Sequence, residues 1–322
     1  MRLSIIIVSW NVRDELLDCL HSIEQNRPSH SYEVILVDNA STDGTIDAVQ
    51  RDFRDVRSLV NAENRGFAAA NNVGVEQARG HYILFLNPDT ILHRNSLDVL
   101  IEFMDAHEDV GACGPKLLYG NGTIQPSVRH FPDFRSALYQ NTVFRNLRLF
   151  HRQYRRYRMF DFDFETQTDV DIVMGAALMT RRSIIDELGA MDERFFMYYE
   201  EADLCYRIIK AGWRIVFVPQ AVITHLGGSS ADQLPIRTRI MRLKSLLTFF
   251  RKHRGRFNTW MFSCVFKSAI LLKHICNIAS GVFMCILATM TFNKRRRRKC
   301  AVKVRDSAQL LGQYSWQLLF RI

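Results

Sequence analysis

Short apolar runs without polar alternation constrain this chain more than any other feature of its sequence. The runs "SIIIVS" (4–9), "EVILVDN" (33–39) and "HYILFLN" (81–87) are apolar at consecutive positions, whereas a strand with one wet face would alternate. Segments of helical spacing lie between them, such as the one that places Leu16 and Leu20 on one side. Strands buried on both faces and joined by helices predict an α/β protein with a mostly parallel central sheet and helices on both faces.

The same reasoning places further elements along the chain. We expect helices that begin at Thr45 and that run over about 65–79, 96–107 and 182–188. Further strands are expected at "VRSLV" (56–60) and "WRIVFVP" (213–219), and "VMGAALM" (173–179) is a strand or a turn. These elements predict one sheet domain over residues 1–235.

Residues 116–170 interrupt that pattern. The stretch "RHFPDFRSALYQNTVFRNLRLFHRQYRRYRMF" (129–160) is rich in arginine and aromatic residues, and the acidic "DFDFETQTDVD" (161–171) follows it. We interpret 116–170 as a basic and aromatic insertion that is mobile or lies on the side of the domain that faces an acceptor substrate. A solvated basic helix is the alternative interpretation.

Residues 236–322 differ in composition from the rest of the chain. From Arg237 onward the chain holds nineteen Lys and Arg residues and a single acid, Asp306. An uncharged stretch, 275–292, precedes the polybasic run 294–299 and is at the lower limit of what spans a bilayer. We predict a helical, membrane-associating region that spans the membrane or lies on its surface. A buried helical cap is the alternative, and nucleic acid is not an expected partner because no aromatic stacking residues are interleaved with the basic run.

The cysteines and the first residues bear on the compartment. The seven cysteines are scattered and form no C-x-x-C pair, which favours reduced thiols in the cytoplasm. The first apolar run is too short for a signal peptide and is typical of a first strand. We therefore expect a cytoplasmic protein associated with the inner face of the cell membrane.

Polar side chains end several of the predicted strands. Ser9 and Asn11 follow the first, Asp38 the second, Asn87-Pro88-Asp89 the fourth, and His225 the last. Each alone has an ordinary explanation in turn formation or core hydrogen bonding. Together, at the carboxyl edge of one sheet, they suit a nucleotide diphosphate with Mg²⁺ or Mn²⁺. The dinucleotide motif G-x-G-x-x-G after the first strand and the P-loop motif are both missing, which argues against a dehydrogenase and an ATPase.

A second acidic cluster comprises Glu200, Glu201 and Asp203. Acids are favoured in a first helical turn, and Asp203 has ion-pair spacing to Arg207. Alternatively, a carboxylate here accepts a proton from a sugar hydroxyl, as an inverting transfer requires.

Several segments, taken in order, resemble the family 2 inverting glycosyltransferases with a GT-A fold, and in particular their rhamnosyltransferase-like bacterial members. The resemblance covers about residues 3–230. It is carried by "SIIIVSWN", "ILVDNASTDGT", "NRGFAAANNVG", "ILFLNPDT", "GAALMTRRSIIDELGAMDERFFMYYEEADLCYRIIKAGWRIVFVP" and "THLGGSS".

The resemblance implies a role for each matching position. Asp38 would contact the base or ribose of the nucleotide, in a pocket lined by Ser9, Asn11, Arg65 and Gly66. Asn87-Pro88-Asp89 stands in the place of the family's D-x-D metal motif, so Asp89 would hold Mg²⁺ or Mn²⁺ and Asn87 departs from the usual first carboxylate. His225 would lie near the metal or the diphosphate.

The catalytic base is implied in the same way. "YEEADL" matches the family's E-D motif, which makes Glu201 the candidate base, with Glu200 as the fallback and Asp203 beside them. Gly175 and Ala176 would let the sugar or the acceptor approach the backbone. The Q-x-x-R-W motif of processive synthases is missing, so one sugar per binding event is expected.

The implied activity is metal-dependent, inverting transfer of one sugar from dTDP-rhamnose or a UDP-hexose. The acceptor would be a hydroxyl of a glycan or of a polyprenyl-diphosphate-linked substrate in surface polysaccharide assembly. The alternative is a non-catalytic protein of the same fold that binds sugar nucleotide or polyanion. A nucleotidyltransferase is disfavoured because "SWNVRDE" is not a glycine-rich loop.

Overall fold

A computed structural model describes residues 1–227, 235–290, 298–302, 304–309 and 311–312. The chain divides into two compact units. One, the sheet unit, comprises Met1–Phe131 and Arg158–Leu234. The other, the helical unit, comprises Pro132–Tyr157 and Pro235–Ile322. Most of "LGGSS" after His225 and most of the polybasic run 294–299 lie outside the described residues.

The strands within the described residues are short. In chain order they are β1 Leu3–Ser9, β2 Tyr32–Asp38, β3 Val56–Val60, β4 Tyr82–Leu86, β5 Thr90–Leu92, β6 Val110–Leu118, β7 Ile124–Gln125, β8 Val128–Arg129, β9 Thr168–Asp169, β10 Ile172–Val173, β11 Ala177–Arg181 and β12 Arg214–His225.

The helices alternate with these strands in the first part of the chain. In order they are α1 Arg13–Gln25, α2 Thr45–Asp52, α3 Phe67–Gln77, α4 Ser96–Ala106, α5 Phe134–Asn141, α6 His151–Tyr157, α7 Arg182–Leu188, α8 Glu200–Lys210, α9 Pro235–His253 and α10 Arg256–Met290.

A single mixed sheet forms the centre of the sheet unit. Its described strands lie in the order β3-β2-β1-β4-β11-β6-β12-β5, with β7 beside β6 and β9 beside β12. Strands β1 to β4 pair in parallel, and β6 pairs in parallel with β12. All seven residues of β1 are buried, which confirms that its unbroken apolar run reflects cover on both faces. The predicted α/β fold is confirmed, and its described central sheet is mixed, with four parallel and five antiparallel pairings.

Strand β11 runs against its neighbours, which the sequence did not predict. It pairs antiparallel with both β4 and β6. The segment "VMGAALM" is therefore two strands, β10 and β11, separated by a turn at 174–176. The amide of Asn87, just past the carboxyl end of β4, donates to Ala176 O at 2.9 Å. Because the chain enters the sheet at that carboxyl edge, β11 has to run back from it.

Aromatic packing joins the two segments of the helical unit. The ring of Phe134 in α5 stacks on Phe262 at 4.5 Å and meets Phe250 edge-on at 4.8 Å. Lys273 Nζ donates to Asn141 O at 3.1 Å. Residues 132–157 therefore pack with the C-terminal helices, whereas the rest of 116–170 belongs to the sheet unit. The predicted acceptor-side role of 116–170 and the predicted boundary at 235 stay predictions.

Helix α10 is much longer than the uncharged stretch 275–292. It has 35 residues, or about 52 Å at 1.5 Å per residue. Among the described residues it alone has the length and composition to cross a membrane, with a mean hydropathy of 1.8 in its most apolar window. Phe262, Phe266 and Ile270 are buried in the helical unit, whereas Phe257 is 70% and Trp260 64% exposed. The predicted apolar C-terminal helix is confirmed.

Candidate active site

The ends of β1 and β2 place two predicted nucleotide-binding residues side by side. Ser9 pairs with Asp38 in the strand register, and both are buried. Asp38 Oδ2 accepts from the Ser41 amide at 2.9 Å. Ser9 Oγ and Asp38 Oδ1 have no hydrogen-bond partner among the described residues. A buried polar atom left unpaired costs about 1–3 kcal/mol, so this pair fits a site that a ligand completes.

Asn11 and the turn after β2 support each other. Asn11 Oδ1 accepts from the Thr42 amide at 2.8 Å, and the Asn11 amide donates to Ser41 Oγ at 3.0 Å. Asn11 and Ala40 have positive φ angles of 51° and 65°. Such conformations are uncommon for residues other than glycine and cluster at functional sites. Asn11 therefore holds the loop beside Asp38 in a defined shape.

Asn39 organises the loop that carries Arg65 and Gly66. Its Nδ2 donates to Asn64 Oδ1 at 3.0 Å and to Gly66 O at 3.2 Å. Its Oδ1 accepts from Asn61 Nδ2 at 3.0 Å and from the Arg65 amide at 3.1 Å. One buried amide thus ties the end of β2 to the start of α3.

Gly66 lies where this loop meets the segment before α8. Its φ is +88°, and an added Cβ would be 2.5 Å from Phe196 O. The next amide, Phe67 N, donates to that same oxygen at 2.7 Å. Arg65 lies 3.8 Å from Glu193 in an exposed ion pair. Glycine is required here because both the backbone angle and the space exclude a side chain.

Asn87, Asp89 and His225 meet where β5 pairs with the end of β12. His225 is opposite Thr90 in the register, and the Leu226 amide donates to Asp89 O at 2.9 Å. His225 Nε2 is 3.3 Å from Asp89 Oδ1 and 3.2 Å from Asn87 Nδ2. The side chains of Asp89 and His225 are 8% and 11% exposed.

The hydrogen bonds of His225 suit a divalent cation at this point. Its Nδ1 lies 2.8 Å from Gln125 Oε1, and Gln125 Nε2 donates to His225 O at 3.4 Å. This network assigns the proton to Nδ1, so Nε2 accepts from Asn87 Nδ2 at 3.2 Å and lies 3.3 Å from Asp89 Oδ1. Nε2 and the Asp89 carboxylate are both acceptors, and a divalent cation between them would relieve their repulsion. The described residues contain no group of three or more His, Cys, Asp or Glu able to hold a metal, so a cation here would need further ligands from elsewhere.

Glu200 and Glu201 lie in the first turn of α8. Glu200 is buried and Glu201 is half-buried, and Oε2 of each has no hydrogen-bond partner among the described residues. Burial, and then the charge of Glu201, raise the pKa of Glu200 well above its usual value. Burial also raises the pKa of Glu201, while the positive charge of Arg129 opposes that rise. Burial thus raises the pKa of both carboxyls, and Arg129 favours the ionised form of Glu201, which is the form that a general base needs.

Two features of the backbone constrain Glu201: strained φ angles just before α8, and the close approach of Gly175. Tyr198 and Tyr199, directly before α8, have φ angles of 71° and 69°. A Cβ added to Gly175 would lie 3.3 Å from Glu201 Cβ. A side chain at 175 would therefore displace Glu201 by a few tenths of an ångström.

Asp203 is in a different environment from the two glutamates. Its carboxylate is fully buried and accepts from Arg207 Nε at 2.9 Å. Arg207 also donates to the carbonyls of Leu188, Gly189 and Ala190. Through Arg207, Asp203 holds the loop that follows α7. In this geometry its carboxylate supports the structure around the two glutamates.

The predicted site residues lie along one connected edge of the sheet. The Asn87 amide is bonded to Ala176 O, and the neighbouring Gly175 is packed on Glu201. Gly66 contacts Phe196, four residues before Glu200. Short backbone contacts thus connect the loops after β1 and β2, the Asp89–His225 pair and the two glutamates.

Sequence reasoning missed several residues of this edge. Asn39 lies inside the segment "ILVDNASTDGT", but its side-chain hydrogen bonds go to a loop 22–27 residues further along the chain. Gln125 lies in the region interpreted as an insertion, and it touches His225 across 100 residues. Arg129 lies in the same region. No local pattern marks such long-range partners.

The sheet unit has the GT-A fold of nucleotide-sugar transferases. The chain superposes with a TM-score of 0.57 on the mannosyltransferase PcManGT from Pyrobaculum calidifontis in complex with GDP-Man and Mn²⁺, at 18% identity over 96% of this chain and 86% of that one. GalNAc-T7 with UDP, GalNAc and Mn²⁺ gives a TM-score of 0.55 at 19% identity, over 70% of this chain and 43% of that one.

The sequence model described as Glycosyl transferase family 2 matches residues 4–189. The chain is 30% identical over 248 residues to the N-acetylglucosaminyl-diphospho-decaprenol L-rhamnosyltransferase of Mycobacterium tuberculosis, covering 73% of this chain and 78% of the relative. It is 26% identical over 209 residues to the low-salt glycan biosynthesis hexosyltransferase Agl10 of Haloferax volcanii, covering 64% and 61%. The chain belongs to glycosyltransferase family 2, is an enzyme of glycan biosynthesis, and is similar to rhamnosyltransferases within that family.

Proposed function

We propose that this enzyme transfers one sugar, with inversion, from dTDP-rhamnose or a UDP-hexose to a hydroxyl of a glycan or polyprenyl-diphosphate-linked acceptor in surface polysaccharide assembly. The observation that carries the proposal is the meeting of unpaired buried oxygens, the Asp89–His225 pair and a half-buried glutamate, Glu201, on one sheet edge. The name of the mycobacterial relative supports rhamnose as the sugar and a lipid diphosphate as the acceptor.

The donor site is assigned to the first two strands. Asp38 Oδ1 and Ser9 Oγ are the buried, unpaired atoms that base or ribose hydrogen bonds would satisfy. Asn11 and the Asn39 clamp hold the flanking loops before the ligand binds. Pre-formed loops lower the ordering cost of binding.

Asp89 and His225 are the residues that would hold Mg²⁺ or Mn²⁺. Hard cations favour oxygen ligands, and the diphosphate would supply the ligands that the protein does not. When bound, the cation would neutralise charge on the departing diphosphate. Gln125 keeps the proton on Nδ1 of His225, so Nε2, which accepts from Asn87 Nδ2, would bind the cation in place of that hydrogen bond.

Glu201 would act as the base. It takes the proton from the acceptor hydroxyl while that oxygen forms a bond to the anomeric carbon from the face opposite the diphosphate. The bond between the anomeric carbon and the diphosphate oxygen breaks, and the nucleoside diphosphate leaves with the electron pair. Burial and the charge of Glu201 raise the pKa of the neighbouring Glu200, which limits the negative charge beside the base.

The helical unit would bring the enzyme to its acceptor. We propose that this unit associates with the cytoplasmic face of the cell membrane, where a polyprenyl diphosphate is anchored. Helix α10 supports this with its exposed apolar side chains, and the C-terminal region supports it with its excess of positive charge.

The pH dependence of transfer is expected to respond to Arg129. Activity requires ionised Glu201, so kcat/KM should fall as the pH decreases through the raised pKa of Glu201. Arg129→Gln removes the positive charge that lowers this pKa, so the acid limb of the profile should move to higher pH. The measurement is kcat/KM against pH for both proteins, with Arg135→Gln as the control. If the acid limb does not move in Arg129→Gln, Arg129 does not set the pKa of the catalytic base.

The donor assignment is tested by thermal unfolding with a panel of nucleotides. We expect dTDP or UDP to raise the midpoint in the presence of Mn²⁺ or Mg²⁺, and GDP and CMP to have little effect. A ligand at a hundred times its Kd stabilises the native state by about 2.7 kcal/mol. If only GDP raises the midpoint in a metal-dependent way, the donor is a GDP-sugar and the proposed donor is wrong. If no nucleotide raises the midpoint of the folded protein, this edge of the sheet is not a donor site.

A further inference from the structure

The helical unit carries an exposed loop in which arginine and leucine alternate. The sequence from Arg145, the last residue of the 3-10 turn Val143–Arg145, to the start of α6 is "RNLRLF" (145–150). Residues 145–149 are all exposed, with Leu147 at 62% and Leu149 at 47%. Arg152 is exposed one turn later. Single exposed leucines are ordinary on protein surfaces, but two within three residues and between arginines form a defined amphipathic feature.

This loop has a fixed conformation that holds the leucines outward. The rings of Phe144 and Phe150 meet at 5.7 Å and close its base. The Leu149 amide donates to Phe144 O at 3.0 Å, and the Arg148 amide donates to Arg145 O at 3.2 Å. Arg148 and Phe150 have φ angles of 54° and 66°. The surrounding packing thus sustains two costly backbone angles and keeps both leucines in solvent.

The two segments of the helical unit are strongly basic in sequence. Residues 132–157 contain six arginines and one acid, Asp133, and the chain from Arg237 onward contains nineteen Lys and Arg residues and one acid. A surface with this charge attracts anionic lipid headgroups, at about 1 kcal/mol for each basic residue near the bilayer. Leucines between the arginines can then enter the boundary between headgroups and acyl chains.

We propose that residues 145–152 form a membrane-contact loop that inserts Leu147 and Leu149 into an anionic bilayer, in addition to α10. The inference rests on the proposed membrane association of the helical unit and makes it more specific. Membrane binding then depends on a segment in the middle of the chain as well as on its C-terminal helix.

The test is partition of the full chain into lipid vesicles. In vesicles that mix phosphatidylglycerol with phosphatidylcholine, Leu147→Ser with Leu149→Ser should weaken the partition coefficient about tenfold. Replacing Arg145, Arg148 and Arg152 with Gln should weaken it about fivefold for each arginine, and should have little effect on vesicles of phosphatidylcholine alone.

Matched controls come from the sheet unit. Val60→Ser with Ile124→Ser removes exposed apolar surface, at 61% and 41% exposure, and should leave partition unchanged. Arg51→Gln with Arg54→Gln and Arg94→Gln removes the same number of exposed charges and should cost much less than the loop substitutions. Hydrogen exchange of the unmodified chain gives a second measurement, in which the amides of 145–152 should become protected when phosphatidylglycerol vesicles are added.

The outcomes separate the two proposals. If the unmodified chain does not partition into either vesicle, both the membrane association and the loop are wrong. If it partitions and the loop variants partition equally well, with no protection of 145–152, the loop proposal alone is overturned. Loss of transfer to a lipid-linked acceptor with unchanged partition would also overturn it, because the loop would then serve the acceptor or a protein partner.

Discussion

Replacing Glu201 with glutamine is expected to lower kcat by about 10²–10⁴-fold, the usual contribution of a positioned general base. Glutamine has nearly the same shape but cannot accept the proton of the acceptor hydroxyl. Donor binding should be unchanged, because the proposed nucleotide contacts are at Asp38 and Ser9. Single-turnover transfer and a nucleotide titration measure the two quantities separately.

Two further substitutions make this result specific. Glu187→Gln, at an exposed position on α7, is the matched control and should have normal activity. Glu200→Gln should cost less than about tenfold, because a neutral amide resembles the protonated carboxyl that burial favours at this position. If Glu200→Gln abolishes transfer and Glu201→Gln does not, the base is Glu200.

Replacing Asp89 with asparagine is expected to remove the metal-dependent part of nucleotide binding and to lower kcat by about 10²–10³-fold. The variant keeps the size of the side chain but loses the charge that faces His225 Nε2 at 3.3 Å. The measurement is the thermal midpoint with dTDP or UDP, with and without Mn²⁺. In the variant the two curves should coincide.

The control for Asp89 is Asp18→Asn, an exposed carboxylate on α1 that should behave as the unmodified chain does. Asn87→Asp tests the same site in the opposite direction. It replaces the amide that lies 3.2 Å from His225 Nε2 with a second carboxylate, so nucleotide binding should depend more strongly on Mn²⁺. A metal-dependent shift that survives in Asp89→Asn would place the cation elsewhere.

Local patterns predicted much of the sheet unit. The predicted bounds of β3 and α7 and the predicted start of α2 agree with the structure, because the spacing of apolar residues is a signal that acts over a few positions. The rule that ligands bind at the carboxyl edge of parallel strands also identified where to look for polar side chains. Ser9, Asp38, Asp89 and His225 do lie at that edge.

Features that depend on distant partners were not predictable in this way. The antiparallel direction of β11 follows from the edge at which the chain re-enters the sheet, and the residues within β11 carry no local signal of that direction. Gln125 has no catalytic signature, yet it fixes the proton on His225. The packing of α5 with α9 and α10 depends on Phe134 meeting rings more than a hundred residues later in the chain.

That last contact has a consequence for biosynthesis. At roughly 5–20 residues per second, Phe134 leaves the ribosome on the order of ten seconds before Phe250 and Phe262. Just before Phe250 emerges, the sheet unit, which ends at Leu234, has all of its residues, whereas the 132–157 segment still lacks the helices that cover its aromatic side chains. The nascent chain therefore passes through a stage in which a basic, aromatic segment is exposed beside a nearly complete enzyme domain, and that stage is when a chaperone or the membrane surface first has access to it.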